Sequence, residues 1–276
     1  MSRVRVIEGI KCYSPESAEA YDNYPDRGFD LTDKAAPESF WVRSRNRLFQ
    51  AMIRRCLKPS GKSRILEIGC GTGEFLTHIA DDDRLDITGS EVYLKGLHYA
   101  KRNLPRVEFV QLDVARDVTD GIYDMICAFD VIEHVDEDEA AIANVARMLE
   151  PDGVFLVSVP QHRFLWSHLD EIVMHKRRYS RADLVGKLTR NGFRVEYATS
   201  FLFTLFPLML VSRLLDRKGA APAEGEGELE RRVQFSPLVT RIFDTVMRVD
   251  EFLIRLGLSL PFGGTLLVIA RKDGYQ

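Results

Sequence analysis

The 276-residue chain has little that would mark it as an extracellular, nucleic-acid-binding or membrane-spanning protein. It holds four cysteines, Cys12, Cys56, Cys70 and Cys127, scattered without a C-x-x-C pair, which argues against a disulfide frame and for reduced thiols. A formal net charge of −3 leaves no general basic footprint, so a nucleic-acid partner is disfavoured. The start, Met1-Ser-Arg-Val-Arg-Val-Ile-Glu, lacks the apolar run of an export signal, so a cytoplasmic location is expected. The longest apolar run, Phe201 to Val211, contains Pro207 and is too short to span a bilayer. No internal repeat is visible.

What is present is a cofactor loop. Ile65-Leu-Glu67-Ile-Gly69-Cys-Gly71-Thr-Gly73-Glu74 reads as an apolar strand ending in an acid and three alternating glycines. Glycine permits positive φ and leaves no Cβ between backbone and ligand, and a following helix would offer free N–H groups. A dinucleotide fingerprint would place a third small residue where Glu74 stands. A carboxylate there repels a diphosphate but suits S-adenosylmethionine, which carries a sulfonium and an ammonium and no phosphate.

The next strands each end in a polar residue. Leu85 to Ser90 leads to Glu91, twenty-four positions after Glu67 and suited to accept from both ribose hydroxyls. Val107 to Leu112 leads to Asp113, placed to accept from an adenine amino group, and Tyr123 to Phe129 leads to Asp130. In open α/β sheets ligands lie outside these strand ends.

Through Glu67-Ile-Gly-Cys-Gly-Thr-Gly73, Glu91, Asp113, Phe129-Asp-Val-Ile-Glu-His-Val135 and Leu149-Glu-Pro-Asp-Gly153, the chain resembles class I S-adenosylmethionine-dependent methyltransferases. The resemblance implies an α/β, Rossmann-like, seven-stranded and mostly parallel sheet with helices on both faces and a final antiparallel hairpin. It places Glu67, Gly69, Gly71, Gly73, Glu91, Asp113, Val114, Phe129 and Asp130 around the cofactor, with Arg45 of a preceding arm over its carboxylate. Ser39 to Arg47, Val159-Pro-Gln-His162, Leu165-Trp-Ser167 and His175-Lys-Arg-Arg-Tyr179 look like a bacterial subgroup.

The expected organisation is an N-terminal arm and helix over 1–61, a methyltransferase core over 62–200, a helical cap over 201–262 with a mobile loop near 218–230, and a last core strand over 263–276. Arg43, Arg45, Arg47, Arg54 and Arg55 are expected to lie largely outward on the arm helix. The two apolar helices of the cap suit covering a greasy acceptor, pairing subunits through 201–215 and 237–256, or touching a membrane surface.

Methyl transfer to oxygen, the expected chemistry on a lipid-like, quinone-like or sugar-containing small molecule, is helped by a general base. His134 is the leading candidate, with a structural or cofactor-touching role as the alternative, and His162, His168 and His175 follow it. Asp130-x-x-Glu133-His134 also resembles the metal-binding E-x-x-E-H pattern of ubiquinone-biosynthesis O-methyltransferases, with Asp in place of the first Glu. A divalent ion on Asp130, Glu133 and His134, with Asp170 or His175 as a fourth ligand, is one option. His162, Trp166, His175, Arg178 and Tyr179 are candidate substrate contacts. The arginines of this last cluster either clamp an anionic group or pair with Asp170 and Glu171. A nicotinamide-dependent oxidoreductase and a non-catalytic interaction module are the competing readings.

Overall fold

The computed structural model describes residues 4–18, 20, 28–30, 33, 39–218 and 235–274, without side chains for 214–218. The loop expected near 218–230 lies outside them beyond Lys218.

Strands β1 (Arg5–Ile7) and β2 (Ile10–Cys12) precede helix α1 (Phe40–Cys56). Then come β3 (Ser63–Ile68), β4 (Leu85–Glu91), α2 (Leu94–Asn103), β5 (Glu108–Gln111), β6 (Tyr123–Phe129), α3 (Asp138–Met148) and β7 (Leu149–Pro160). A short α4 (His168–Ile172), α5 (Arg181–Arg190), β8 (Phe193–Phe201), α6 (Phe206–Lys218), α7 (Pro237–Arg255) and β9 (Thr265–Lys272) complete the described fold.

The sheet order is β1-β2-β5-β4-β3-β6-β7-β9-β8. Its seven-stranded core is the expected one: β5, β4, β3, β6 and β7 run parallel, while β9 pairs antiparallel with both β7 and β8. The hairpin over residues 5–12 falls outside that expectation; it pairs with β5 through Lys11 and Cys12 and makes nine strands. Three-residue strands carry almost no periodic signal, so tertiary pairing decides them.

Period-two alternation sorts the central strands between two apolar layers. On β6, Met125, Cys127 and Phe129 face the layer that holds α1, α2 and α7, whereas Ile126 and Ala128 face α3 and α5. The ring of Phe49 on α1 stacks on Phe129 at 3.8 Å and 11°, and Phe75 meets both edge-on. Truncating a buried ring of this kind costs about 3–5 kcal/mol. Phe75 of this stack follows the glycine loop directly in the chain. Ser180 caps α5, accepting from Asp183 N at 3.1 Å.

The cap is bolted to the arm. Glu251 of α7, buried, accepts from Ser44 Oγ at 2.5 Å and from Arg47 Nε and Nη2 at 2.9 and 2.6 Å. Arg47 also reaches Asp244 at 3.0 Å, and Asp250 accepts from the amides of Phe203 and Thr204. Arg47 therefore turns inward, contrary to the solvated face expected of it, because α7 supplies the acids that compensate its desolvation, whereas Arg45, the one arginine expected to reach toward the cofactor, pairs with Asp130 and Glu74. Arg54 and Arg55 do lie at the surface. Among the described residues, no helix is long and apolar enough to cross a membrane.

Candidate active site

A cavity of about 1310 Å³ opens over the carboxyl ends of the parallel strands. Its floor is the glycine loop between β3 and a single 3-10 turn at Phe75–His78, which takes the place of the full helix expected there. Gly69, Gly71 and Gly73 all have positive φ. A Cβ on Gly69 would strike Val131 Cγ2 at 2.5 Å, so that glycine serves backbone packing. At Gly71 nothing lies within 4 Å, so the bare backbone faces open space.

Acids ring this space. Glu67, buried at the end of β3, has Oε2 without a hydrogen-bond partner among the described residues, and burial pushes its pKa up to about 8, with Arg45 opposing and Glu74 and Glu91 adding. Glu91 accepts from the amides of Gly71, Val92 and Tyr93 at 3.1, 2.8 and 3.3 Å, though burial still raises its pKa. Asp113 accepts from Ser17 Oγ at 3.0 Å and from Ala115 N at 3.1 Å, with Val114 buried beside it in the cavity wall. Phe129 touches the cavity, but its ring belongs mainly to the aromatic stack below.

Arg45 reaches in from α1. Its Nη1 donates to Asp130 Oδ2 at 3.1 Å, its Nη2 lies 4.0 Å from Glu74 Oε2, and its buried Nε has no partner among the described residues. Asp130 sits at φ +55 with its carboxylate also accepting from Ser158 Oγ at 3.0 Å. Glu74 is held by Asn46, whose amide donates to both carboxylate oxygens at 2.8 and 2.9 Å. Sequence reasoning missed Asn46. The available signal was a polar residue one turn before Phe49 and two before Ile53 on the buried stripe of α1.

The opposite wall carries a second polar group. Glu133 is fully buried, has no hydrogen-bond partner among the described residues on either carboxylate oxygen, and is driven well above the usual carboxylate range by burial and then by the charge of Asp130. His175 stands beside it, with Nε2 3.8 Å from Glu133 Oε1 and Nδ1 2.9 Å from Asp170 Oδ1. The His134 ring lies 4.8 Å from that of His175. Burial alone would raise Asp170, but hydrogen bonds and charge from His175 and Arg178 hold it well below the usual range.

The expected substrate residues divide. His175 and Arg178 line the cavity, whereas His162, Trp166 and Tyr179 do not. The chain turns at His162, φ +64, whose ring packs on Phe164 and Phe206 instead. Tyr179 is buried and donates to Asp138 at 2.7 Å. Arg178 is spent on Asp170 Oδ1 at 2.7 Å and Gln161 O at 3.1 Å, and Arg177 on Asp138, so the basic cluster forms ion pairs within the fold. The expected metal set also shifts. Glu133, His134 and His175 bring their ligand atoms within 4.8 Å of one another, while Asp130 is engaged by Arg45.

Three features fit S-adenosylmethionine: open space over Gly71, the unpartnered oxygen of Glu67 for a cation, and the unpartnered Nε of Arg45 for a carboxylate. Fold and site together define a class I S-adenosylmethionine-dependent methyltransferase domain, with that compound as cofactor. The model of the methyltransferase domain family matches residues 41–198, more than half of the chain, and the chain belongs to that family.

Curated relatives agree. A Mycolicibacterium smegmatis protein named as a probable S-adenosylmethionine-dependent methyltransferase is 31% identical over 165 residues, covering 58% of this chain and 62% of that protein. An O-methyltransferase of Pyrenophora dematioidea is 28% identical over 78% of this chain and 88% of its own length. A ubiquinone biosynthesis O-methyltransferase of Rickettsia conorii is 28% identical over 40% and 39%. The chain thus matches less than two thirds of the mycolicibacterial and rickettsial proteins. Among solved structures, the [4+2]-cyclase SpnF is similar with a TM-score of 0.56, 21% identity and coverage of 84% and 82%. Phosphoethanolamine N-methyltransferase 2 of Haemonchus contortus gives 0.57, 16%, 90% and 60%. At these identities the likeness is one of fold.

Proposed function

We propose that the protein transfers a methyl group from S-adenosylmethionine to an oxygen of an amphiphilic small molecule whose body is lipid-like, quinone-like or sugar-bearing. One observation carries the reading: a single cavity joins the polar group of Glu133, His134, Asp170 and His175 to walls made by Phe40, Trp41, Leu205, Met209 and Phe243. The similarity to proteins named as O-methyltransferases adds support.

The bound cofactor supplies an already activated methyl group. The protein's task is alignment and removal of one proton. Asp170 accepts from Nδ1 of His175, a bond that favours the Nδ1–H tautomer and leaves the Nε2 lone pair for the acceptor hydroxyl proton. Glu133, whose burial favours the protonated form, offers a hydroxyl to orient the acceptor oxygen. His134 completes this end of the cavity and is the second candidate base.

The test is transfer of labelled methyl from S-adenosylmethionine to catechols, polyprenyl phenols, glycolipids and amines. Label on an oxygen acceptor is expected, with His175→Ala lowering turnover by about 10²–10⁴-fold and leaving cofactor affinity nearly unchanged. Label confined to amines would overturn the oxygen reading.

A second reading has its own support in Glu133, whose buried carboxylate lies beside two imidazoles and lacks a hydrogen bond among the described residues. Glu133, His134 and His175 would then hold a divalent ion, with Asp170 fixing His175 from behind. Its mark is loss of activity and a fall in Tm with a chelator, both restored by a divalent ion.

A further inference from the structure

The acids of α7 all point one way. Asp244, Asp250 and Glu251 face the arm and the start of the cap, where Arg47, Ser44 and the amides of Phe203 and Thr204 bind them. What remains outside is a stripe of Leu238, Ile242, Val249, Phe252 and Leu256, between 49% and 69% exposed. With Thr245 the positions advance by alternating steps of four and three, so they keep one face along the whole helix. Arg241, Arg248 and Arg255 recur every seven residues along the same flank, all exposed, although Arg248 lies 3.7 Å from Asp244 and Arg255 3.9 Å from Glu251.

Further exposed apolar side chains lie outside α7. Phe262, exposed, packs on Phe203 and Phe206 at the start of α6, and His162 links Phe206 to the exposed ring of Phe164. On α6, Leu208 and Val211 are each about half exposed. Among the described residues of 206–213 and 235–262, no exposed side chain is acidic. Leu208 and Phe235 both line the active-site cavity and stand exposed, so apolar side chains at the start of α6 and just before α7 stand at the cavity's edge.

We propose that α6 and α7 form a docking surface for an anionic phospholipid membrane. An amphipathic helix with large apolar residues on one face and arginines beside them lies in the interfacial plane, its arginine heads among the phosphates. Each basic residue adds attraction to an anionic leaflet. A second copy of the chain fits less well. An isologous pairing through this stripe uses the same residues on both sides, so it sets arginine rows against each other, and among the described residues of 206–213 and 235–262 no exposed acid is there to pair across the seam. The docking surface rests on these helices and stands whether or not the acceptor is a lipid. If the acceptor is amphiphilic, the cavity's edge at Leu208 and Phe235 lets it enter from the bilayer.

The test is co-sedimentation of the full chain with vesicles of phosphatidylcholine and phosphatidylglycerol in equal parts, against phosphatidylcholine alone. Binding to the anionic vesicles only, weakened by salt, is expected. Arg241→Glu with Arg248→Glu should lower partitioning about tenfold or more, and Phe252→Asp should do likewise. Calorimetric affinity for S-adenosylmethionine should hold within about twofold in these chains, since the charge at these sites is a surface matter. Arg248→Gln serves as a milder variant, with an intermediate loss expected. Failure of the wild-type chain to bind anionic vesicles, or equal binding to both compositions, would overturn the proposal. So would a dimer in light scattering that Phe252→Asp dissolves while vesicle binding persists unchanged.

Discussion

Nδ1 of His175 lies 2.9 Å from Oδ1 of Asp170, and the same carboxylate oxygen accepts from Arg178 Nε at 2.7 Å. One buried oxygen thus orients a cavity-facing imidazole and neutralises a buried guanidinium. Because Asp170 also accepts from Ser167 N at 2.8 Å, α4 is fastened at its first turn by the same group.

Asp170→Asn should therefore cost about 3–5 kcal/mol, chiefly by leaving Arg178 uncompensated in the interior. The folded-state pKa of Asp170 is depressed, so its contribution is present above its unfolded value of about 4 and is lost as pH falls below it toward the folded pKa. Urea melts of both chains should show a wide gap near neutrality that narrows in acid. A gap independent of pH would contradict the assignment.

Glu67 behaves in the opposite sense. Its pKa is raised from 4.5 to about 8, so between these values the folded chain keeps a proton that the unfolded chain has released. Stability falls as pH rises across that window, by up to about 5 kcal/mol at the top. Glu67→Gln mimics the neutral form and lacks this fall. The Tm of the variant should gain on the wild type steadily from pH 5 to pH 8, whereas a constant difference would show that Glu67 is ionised throughout.

The two neighbouring glycines should fail differently. Gly71→Arg fills open space and should reduce cofactor affinity more than tenfold, with a backbone penalty of only about 1–2 kcal/mol from its positive φ. Gly69→Ala instead drives a Cβ against Val131 and should lower Tm strongly. Calorimetry and thermal melts on the pair separate ligand space from packing space. Equal affinity in Gly71→Arg and wild type would place the cofactor elsewhere.

Glu251→Gln should loosen the cap. Removing the charge that faces Arg47 and Ser44 inside the α1–α7 contact costs about 3 kcal/mol, less whatever Asp244 recovers. Limited proteolysis should then cut within 235–262 sooner than in the wild type. Unchanged cleavage would mean that the aromatic contacts of Phe40 with Phe235 and Phe243 hold the cap without the ion pair.

Local chemistry makes much of the cofactor half legible in the amino-acid order. The glycines at 69, 71 and 73 are read from the backbone conformations they alone allow cheaply. Glu91, Asp113 and Asp130 are read from their places at the ends of short apolar runs, because parallel strands bring successive ends to one edge. The seven-stranded core is what the family resemblance implied, and the structure shows it. The acceptor half is not legible in this way. His162, Trp166 and Tyr179 lie close in sequence to His175 and carry similar chemistry, yet a left-handed residue at 162 and a buried Tyr179–Asp138 bond turn them away from the cavity.

What the amino-acid order determined by itself is the set of interactions made within a turn or a strand end: the bare loop, the cap of α5 at Ser180, the apolar stripes of α1 and α7. What only the tertiary structure decided is every pairing of charge across long separations. Asn46 meets Glu74, Arg45 meets Asp130, and Ser44 meets Glu251 two hundred and seven positions away. An isolated arginine or acid on a helix face is stable in water. Whether it turns inward depends on an opposite partner arriving from a distant segment to offset its desolvation, and no local pattern encodes that arrival.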